Sequence, residues 1–314
     1  MSETIVITGA SDGIGAEAAR QLNGHGHRLI LVGRSPEKTQ TLAEELGAEH
    51  LVADFTRLDE VRDLAASLLA ACGRIDVLAN NAGGIFSGPE LTEDGFEKTF
   101  QVNHLAPFLL THLLEGRLLA SQARVVTTSS IGARLLSRLD LQDPQSLQGF
   151  RMIRAYGNAK LANILFTKGL HQRCDSQGLS TVSFHPGIVA TNLGADTRGW
   201  FRWAYHTRAR GLLTPVQEGG RTLAHFITGV PGCTWLPGAY HHRIHGLGRT
   251  HRAVEDPQVV QRHWELSEEL LGLEPSWPDA EAHRELSTSR RGFGPALDAD
   301  SGLAQQAEHR GDEG

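Results

Sequence analysis

The chain has 314 residues, of which 40% are apolar and 21% charged, and its formal net charge is −6. This composition is typical of a soluble globular protein with one large domain or two, and the slight acidity argues against a nucleic-acid binder, which normally carries a basic patch. The three cysteines have neither the even number of a disulfide framework nor a metal-type spacing. We therefore expect free thiols in a reducing compartment.

Short runs of β-branched and aliphatic residues alternate along the chain with longer segments of three- and four-residue apolar spacing, which predicts βαβ units. The predicted strands are Thr4–Thr8, Arg28–Val32, His50–Ala53, Asp76–Ala79, Arg124–Thr128 and Thr181–Phe184. Because most of these runs are continuously apolar, the strands are expected to be buried on both faces. The sequence predicts a single-domain α/β fold: a Rossmann-type, doubly wound parallel sheet of about seven strands with helices on both faces.

Local sequence signals predict several helix ends and the limits of the domain. Helices are predicted over Ala16–Leu22, Met152–Cys174 and Val259–Leu273, with Ser35 capping the helix that begins at Pro36 and Thr214 with Gln217 forming a capping box. From Pro275 onward apolar residues are few, so the domain is predicted to span residues 1–274 and residues 275–314 to form a disordered tail. The N-terminus shows no signal peptide, and no apolar run is long enough to cross a bilayer, so a cytoplasmic location without an integral membrane segment is expected.

A glycine-rich stretch, TGASDGIG at residues 8–15, follows the first strand and opens the first helix. Glycines there allow a sharp turn and close approach to a pyrophosphate, while the helix N-terminus offers unpaired N–H groups to the anion. No Gly-Lys-Ser/Thr follows, so this is not a Walker loop. The stretch predicts a dinucleotide site; the alternative is a glycine-rich turn without a ligand.

The second strand leads into Gly33-Arg34-Ser35, where an NAD-specific fold usually carries an acidic residue. A guanidinium pairs with phosphate in a bidentate way, so Arg34 favours NADP(H) over NAD(H), with Ser11 as a source of a further hydroxyl. The alternative is that Arg34 is an ordinary solvated residue at the start of a loop.

Tyr156 and Lys160 lie four positions apart on a predicted helix and therefore project from one face. A nearby ammonium favours the phenolate and lowers the tyrosine pKa from about 10, which suits a general acid or base. Ser130 follows the fifth strand, where side chains meet the ligand crevice, and Ser129 is the competing assignment. The alternative for the Tyr-Lys pair is an ordinary amphipathic helix. However, a second row on that helix already accounts for core packing: Ala155, Ala159, Ala162, Phe166 and Leu170.

Taken together, seven motifs resemble the short-chain dehydrogenase/reductase superfamily, and their sub-pattern is similar to the retinol-dehydrogenase-like group, over residues 4 to about 245. The motifs are residues 8–15, Asp54, residues 80–83, Asn103-His104, Ser129-Ser130, residues 156–160, and Pro186-Gly187 with Thr191.

The resemblance implies a catalytic tetrad of Asn103, Ser130, Tyr156 and Lys160, with the asparagine holding a water, although this asparagine could equally be a helix cap. It also implies a set of cofactor-binding residues. They are Gly9, Ser11, Asp12, Gly13, Ile14, Gly15, Arg34, Asp54, Phe55, Asn81, Ala82, Gly83, Tyr156, Lys160, Pro186, Gly187, Ile188 and Thr191. No metal site is expected, because the histidines at 241, 242 and 245 lack a completing carboxylate or cysteine pair.

One feature departs from the common family pattern, and a second bears on the substrate. Ser130 and Tyr156 are 26 positions apart, so the polar insert Arg134–Gly149 is predicted to form a surface loop near the pocket mouth. Four aromatic residues, Trp200, Phe201, Trp203 and Tyr205, lie in a predicted substrate lid at about 192–212. They suggest a lipophilic alcohol, ketone or aldehyde as substrate. Packing of a short helix and contact with a membrane surface are the alternatives.

The sequence thus predicts an NADP(H)-dependent oxidoreductase that transfers hydride between nicotinamide and a carbonyl or alcohol carbon. The alternatives are a non-catalytic NADP-binding regulatory or scaffold protein, and an epimerase or dehydratase acting on a sugar nucleotide. The family resemblance also implies a homodimer or homotetramer formed through the helices around Asn103 and Tyr156.

Overall fold

The computed structural model describes residues 2–189 and 214–275. The predicted lid at about 192–212 lies outside the described residues, as do the predicted cofactor residue Thr191 and the predicted tail after Pro275.

Seven strands in the described part of the chain form one sheet, in the order β3-β2-β1-β4-β5-β6-β7. They are β1 Thr4–Thr8, β2 Arg28–Gly33, β3 Glu49–Val52, β4 Val77–Asn80, β5 Arg124–Thr128, β6 Ser180–His185 and β7 Tyr240–His242. Every pairing is parallel. The strand order reverses between β1 and β4, so the carboxyl ends of these strands border the crevice where such folds bind ligands.

Helices cover both faces of the sheet. The main helices are α1 Gly13–Leu22, α2 Pro36–Leu46, α3 Leu58–Ala71, α4 Lys98–Phe100, α5 Ala106–Leu113, α6 Glu115–Ala120, α7 Gly132–Leu135, α8 Met152–Cys174, α9 Val216–Thr228 and α10 Pro257–Leu271. In β1, Val6 packs into the cluster with α3, α5, α8 and α10, whereas Ile5 and Ile7 pack into the cluster with α1, α2 and α9. This two-sided burial explains why β1 has apolar residues at consecutive positions, whereas β3 at the edge of the sheet is mostly exposed. The arrangement confirms the predicted fold class.

The last helix of the described residues packs on the core through Trp264. Trp264 of α10 is buried, with its ring centre 4.8 Å from that of Phe108 and 5.9 Å from that of Phe166. The Arg173 guanidinium of α8 lies 4.2 Å from the same indole. Within residues 2–189 and 214–275, no helix combines the length and apolar character that crossing a membrane requires.

Helix α8 and the Ser35 cap of α2 are confirmed, but other helix ends differ from the prediction. Helix α1 begins at Gly13 rather than Ala16, because the Asp12 carboxylate accepts the Gly13 N–H at 2.7 Å. The predicted capping box is wrong, since Pro215 is the N-cap of α9 and makes no side-chain cap bond. Helix α10 ends before Gly272, which adopts a left-handed conformation with φ of 60°.

Candidate active site

A cavity of about 520 Å³ opens at the carboxyl ends of the parallel strands. Most of the predicted site residues line it: Gly9, Ser11, Asp12, Gly13, Ile14, Arg34, Asp54, Phe55, Asn81, Ala82, Gly83, Ser130, Tyr156, Lys160, Pro186 and Gly187. Three predicted residues, Gly15, Asn103 and Ile188, do not line it. The structure therefore brings the described cofactor and catalytic residues of the prediction to one place, apart from these three.

Two glycines of the β1–α1 loop are required by close backbone contacts. Gly9 has φ of 65°, and a Cβ on it would lie 2.8 Å from the Ala82 Cα. A Cβ on Gly15 would lie 2.3 Å from the Gly9 carbonyl oxygen. Gly15 thus shapes the loop from behind instead of facing the cavity, and any side chain there would displace the loop.

Asn81 joins three strand ends beneath the cavity. Its Nδ2 donates to the Thr8 carbonyl at 3.0 Å, and its Oδ1 accepts from the Thr128 hydroxyl at 3.1 Å. The Thr8 hydroxyl in turn accepts the N–H groups of Asn81 and Ala82 at 3.0 and 3.1 Å. These bonds hold the ends of β1, β4 and β5 in a fixed relation, so the cavity floor is rigid.

The adenosine end that the sequence predicts carries two cations. Arg34 is exposed and lines the cavity, as does Lys38 of α2. The Lys38 ammonium forms an ion pair with the Asp12 carboxylate at 3.2 Å. Sequence reasoning did not identify Lys38; its position one helical turn after Arg34 was the available signal.

Tyr156 and Lys160 lie on one face of α8, and both line the cavity. Lys160 is only 3% exposed, its Nζ donates to the Thr128 carbonyl at 3.2 Å, and the same atom lies 5.9 Å from the centre of the Tyr156 ring. Burial lowers the pKa of Lys160 from 10.5 to about 7. The lysine is therefore a titratable group next to the tyrosine in the neutral pH range.

The two adjacent serines have different environments. Ser129 is buried, and its hydroxyl donates to the Lys160 carbonyl at 2.7 Å. Ser130 is half-buried, and its Oγ accepts the Gly132 N–H at 3.1 Å, which leaves the hydroxyl proton available for donation. A Cβ on Gly132 would lie 3.3 Å from the Ser130 Oγ and 3.7 Å from the Tyr156 Cε1, so both side chains border this glycine. The geometry favours Ser130 as the partner of Tyr156.

Asn103 lies behind the cavity wall, in a turn of π-helix at Gln101–Leu105. It is fully buried, and its Nδ2 donates to the carbonyls of Gly84 and Thr99 at 2.8 Å each. Its Oδ1 accepts the Gly84 N–H at 3.2 Å. A Cβ on Gly83 would lie 2.4 Å from this Oδ1 and 3.0 Å from the Lys160 Nζ, so Asn103 and Lys160 both pack against Gly83. The alternative that Asn103 caps a helix is wrong, because Asn103 lies inside the π-helical turn and Leu105 is the N-cap of α5.

The Pro186-Gly187 turn follows β6 and lines the cavity. Gly187 has φ of 103°, and its N–H donates to the Nδ1 of His185 at 3.1 Å. Burial, with smaller contributions from His242 and Arg243, lowers the pKa of His185 to about 4, so the imidazole is neutral. Sequence reasoning did not identify His185.

The side chain of Ile188 is 59% exposed, while its carbonyl accepts the Thr214 N–H at 2.9 Å. The backbone of Ile188 is therefore already engaged with the segment that begins α9.

Comparison with known proteins identifies the family. The family model described as short chain dehydrogenase matches residues 3–201. Retinol dehydrogenase 11 of Homo sapiens is 34% identical over 279 residues, which cover 86% of this chain and 86% of that protein. DnrU of Streptomyces sp. (strain C5), which carries the provisional name daunorubicin C-13 ketoreductase, is 37% identical over 279 residues, which cover 86% and 92% of the two chains.

Solved protein structures also match this chain. An uncharacterized protein from Mycobacterium Paratuberculosis has a TM-score of 0.67 at 32% identity, over 87% of this chain and 95% of that chain. A Beutenbergia cavernae protein provisionally assigned as an NAD(P) dependent gluconate 5-dehydrogenase, with bound NADP, has a TM-score of 0.59 at 26% identity, over 76% and 94%. With the sheet order and the cavity above, these matches confirm the predicted resemblance: the chain belongs to the short-chain dehydrogenase/reductase family of nicotinamide-dependent oxidoreductases, and retinol dehydrogenases are among its relatives.

Proposed function

We propose that this chain is an NADP(H)-dependent oxidoreductase that transfers hydride between nicotinamide and a carbonyl or alcohol carbon of a lipophilic substrate, with Tyr156 as general acid and base. One observation carries the proposal. A single cavity has a Ser130, Tyr156 and Lys160 cluster in one part of its lining and a cation, Arg34, in another part. Binding a dinucleotide alone does not require the first group, which disfavours a purely regulatory or scaffold role.

The residues present fit a dinucleotide. Gly9 and Gly13 line the cavity at the N-terminus of α1, where the backbone N–H groups of the first helical turn suit a pyrophosphate. Arg34 and Lys38 supply positive charge suited to the 2′-phosphate that distinguishes NADP(H) from NAD(H). When bound, the cofactor supplies or accepts the hydride.

The protein's own contribution is to position the substrate oxygen and to handle one proton. In reduction, Tyr156 donates its phenolic proton to the oxygen as the carbonyl carbon gains hydride, so that carbonyl, hydride and proton yield the alcohol; in oxidation, the phenolate accepts the proton. The Lys160 ammonium stabilises the phenolate electrostatically, and the Ser130 hydroxyl donates to the substrate oxygen.

We also propose that residues 1–274 form one catalytic domain. Val189 and Thr214, which flank residues 190–213, pair as an isolated bridge, and Val189 lines the cavity. The predicted substrate lid at about 192–212 stays a prediction.

The proposal is tested by NADPH consumption and product analysis with a panel of lipophilic ketones and aldehydes. Tyr156→Phe should lower turnover by about 10²–10⁴-fold while NADPH binding is retained, because only the proton donor is lost. Tyr240→Phe, at a second buried tyrosine, is the matched control and should keep native turnover. Native turnover in Tyr156→Phe would contradict the mechanism, and tight NADPH binding without consumption across the panel would support the non-catalytic alternative.

Cofactor preference has its own test. Arg34→Asp should weaken NADPH binding by about 10–100-fold and leave NADH binding nearly unchanged, because only NADPH carries the 2′-phosphate. Equal affinity of the native protein for both cofactors would contradict the proposed preference.

A further inference from the structure

The Pro186-Gly187 turn lies on the catalytic side of the cavity. It follows β6, which pairs with β5, and β5 leads into Ser130. Arg34 follows β2, which is four strand positions away from β6 in the sheet. Since neighbouring strands are about 4.8 Å apart, roughly 19 Å separate the turn from Arg34 along the sheet. A dinucleotide whose 2′-phosphate meets Arg34 and whose nicotinamide reaches Tyr156 therefore has its nicotinamide half next to this turn.

His185, the last residue of β6, orients the peptide group of the turn. The Gly187 N–H donates to the Nδ1 of His185 at 3.1 Å. The Pro186-Gly187 peptide is trans. Because the N–H and the C=O of a trans peptide point in opposite directions, the same bond directs the Pro186 carbonyl away from the imidazole.

The backbone of Gly187 does not by itself select this orientation. Its φ is 103°, and turning the peptide plane over would bring φ to roughly −77°, which glycine adopts about as readily. A Cβ on Gly187 would lie 2.3 Å from the Thr214 Oγ1, so a residue with less conformational freedom does not fit here. The hydrogen bond to His185 therefore decides between the two orientations of the peptide.

The imidazole of His185 is fixed by β7 and is neutral. His185 lies opposite His242 in the register of β6 and β7, with ring centres 4.5 Å apart, and the Tyr240 ring is stacked at 6.2 Å. Burial lowers the pKa of His185 to about 4, so Nδ1 has a lone pair available at neutral pH. The ring proton is then on Nε2, which is buried and has no hydrogen-bond partner among the described residues. Since a buried N–H without a partner destabilises a fold, packing alone does not account for a histidine here.

From these contacts, and on the basis of the proposed function, we infer that His185 is a positioning residue for the nicotinamide half of the cofactor. His185 does not line the cavity, so it acts on the cofactor through the Pro186-Gly187 turn that does. Its acceptor nitrogen holds the turn in the one peptide orientation that binds nicotinamide. Without that acceptor the peptide adopts both orientations, and only a fraction of the molecules is ready to bind the dinucleotide.

The experiment measures the dissociation constants of NADPH and of adenosine 2′,5′-bisphosphate, which contains the adenosine half with its 2′-phosphate but no nicotinamide. His185→Leu removes the acceptor and should weaken NADPH binding about tenfold, while the binding of the bisphosphate stays at the native value. His185→Asn should restore the native NADPH affinity, because the asparagine Oδ1 can accept the Gly187 N–H in place of Nδ1.

His241→Leu is the matched control. This histidine of β7 is also buried, and its Nε2 accepts the Leu236 N–H at 3.2 Å, but neither residue lines the cavity. His241→Leu should therefore bind NADPH with native affinity.

Four results would overturn the positioning role of His185. They are an unchanged NADPH affinity in His185→Leu, equal weakening of both ligands in that variant, the same loss of NADPH affinity in His241→Leu, and a His185→Asn variant that binds NADPH as weakly as His185→Leu. A native protein that binds neither NADPH nor the bisphosphate would contradict the proposed function instead.

A measurement on the native protein covers the case in which His185→Leu does not fold. The bond from Gly187 requires the imidazole tautomer with its proton on Nε2, which ¹⁵N NMR of the histidine rings distinguishes from the tautomer with its proton on Nδ1. The signal of His185 is the one that is absent from the spectrum of His185→Asn. We expect the proton on Nε2 in the NADPH complex, and a proton on Nδ1 would overturn the inference.

Discussion

Replacing Lys160 with methionine should stabilise the cofactor-free protein while removing its activity. Lys160 is buried, and among the described residues no carboxylate lies within ion-pairing distance of its ammonium. Its Nζ donates to the Thr128 carbonyl, which also accepts from the Asn163 side chain at 3.2 Å. A methionine of similar length fills the same space without a charge to desolvate, and Thr128 keeps its second donor.

The magnitude follows from the pKa of Lys160, which burial lowers from 10.5 to about 7. Each pH unit between these two values corresponds to about 1.4 kcal/mol, which gives a penalty of about 5 kcal/mol for the fully charged side chain. At pH 7 half of the folded molecules already have a neutral lysine, so the free energy of unfolding is lowered by about 4 kcal/mol. Loss of the hydrogen bond to Thr128 offsets about 1 kcal/mol of this. The Lys160→Met protein should therefore be more stable than the native protein by about 3 kcal/mol.

The sign of the pH dependence is also fixed. Between the folded pKa near 7 and the unfolded value of 10.5, the unfolded chain binds the proton and the folded chain does not, so native stability rises with pH across this range. Below pH 7 the full penalty is present. The advantage of Lys160→Met should therefore shrink steadily as the pH is raised toward 10.5.

Urea unfolding measures the change in stability. It is carried out on the cofactor-free native protein and on the two variants Lys160→Met and Lys168→Met. Lys168 is the matched control because it lies on α8 too but is only half-buried. Lys168→Met should show no comparable gain, and NADPH-dependent turnover should be lost only in Lys160→Met. A Lys160→Met protein that is no more stable than the native chain at pH 7 would show that burial of the Lys160 ammonium does not destabilise the fold.

Three further predictions concern other parts of the site and the core. Gly15→Ala should weaken NADPH binding at least tenfold in a direct titration, because its Cβ would fall 2.3 Å from the Gly9 carbonyl oxygen; unchanged affinity would contradict the proposed phosphate loop. Burial lowers the pKa of His263 from an ordinary 6.5 to about 4. The free energy of unfolding should therefore fall by up to about 3 kcal/mol as the pH drops from 6.5 toward 4. His263→Phe should reduce that loss, as measured by urea unfolding. Ser130→Ala should lower kcat with stability retained, whereas Ser129→Ala should lower the unfolding free energy by about 1 kcal/mol through its lost bond; the reverse pattern would reassign the serine.

The sequence was sufficient for most of the fold because its strands are continuous apolar runs and α8 has two regular rows of side chains. It was insufficient for β7, where Tyr240, His241 and His242 contain no apolar run and two of the three residues are nonetheless buried by neighbouring elements. Helix ends also required the structure. Asp12 and Gly272 set the ends of α1 and α10 through a cap bond and a left-handed conformation, neither of which periodicity reveals.

The site, like the fold, could be predicted from the sequence only in part. Motif spacing predicted the residues that line the cavity, but not which of them act from behind it, as Gly15 and Asn103 do. The sequence also could not separate Ser129 from its neighbour Ser130. The structure separates them, because the Ser129 hydroxyl donates to the Lys160 carbonyl whereas Ser130 and the Tyr156 ring border the same glycine, Gly132. Lys38 lies four positions after Arg34 in the sequence, but its ion pair with Asp12 of the β1–α1 loop is visible only in the folded chain.

Isotope labelling tests whether hydride passes from nicotinamide to a carbonyl carbon while Tyr156 supplies the proton. A ketone is reduced with NADPH that is deuterated at the reactive nicotinamide carbon, and the alcohol is analysed by mass spectrometry. We expect one deuterium on the carbinol carbon with the native protein and almost no product with Tyr156→Phe. An alcohol that carries no deuterium, whichever face of the nicotinamide is labelled, would contradict hydride transfer, and equal product formation by Tyr156→Phe would contradict the role of Tyr156.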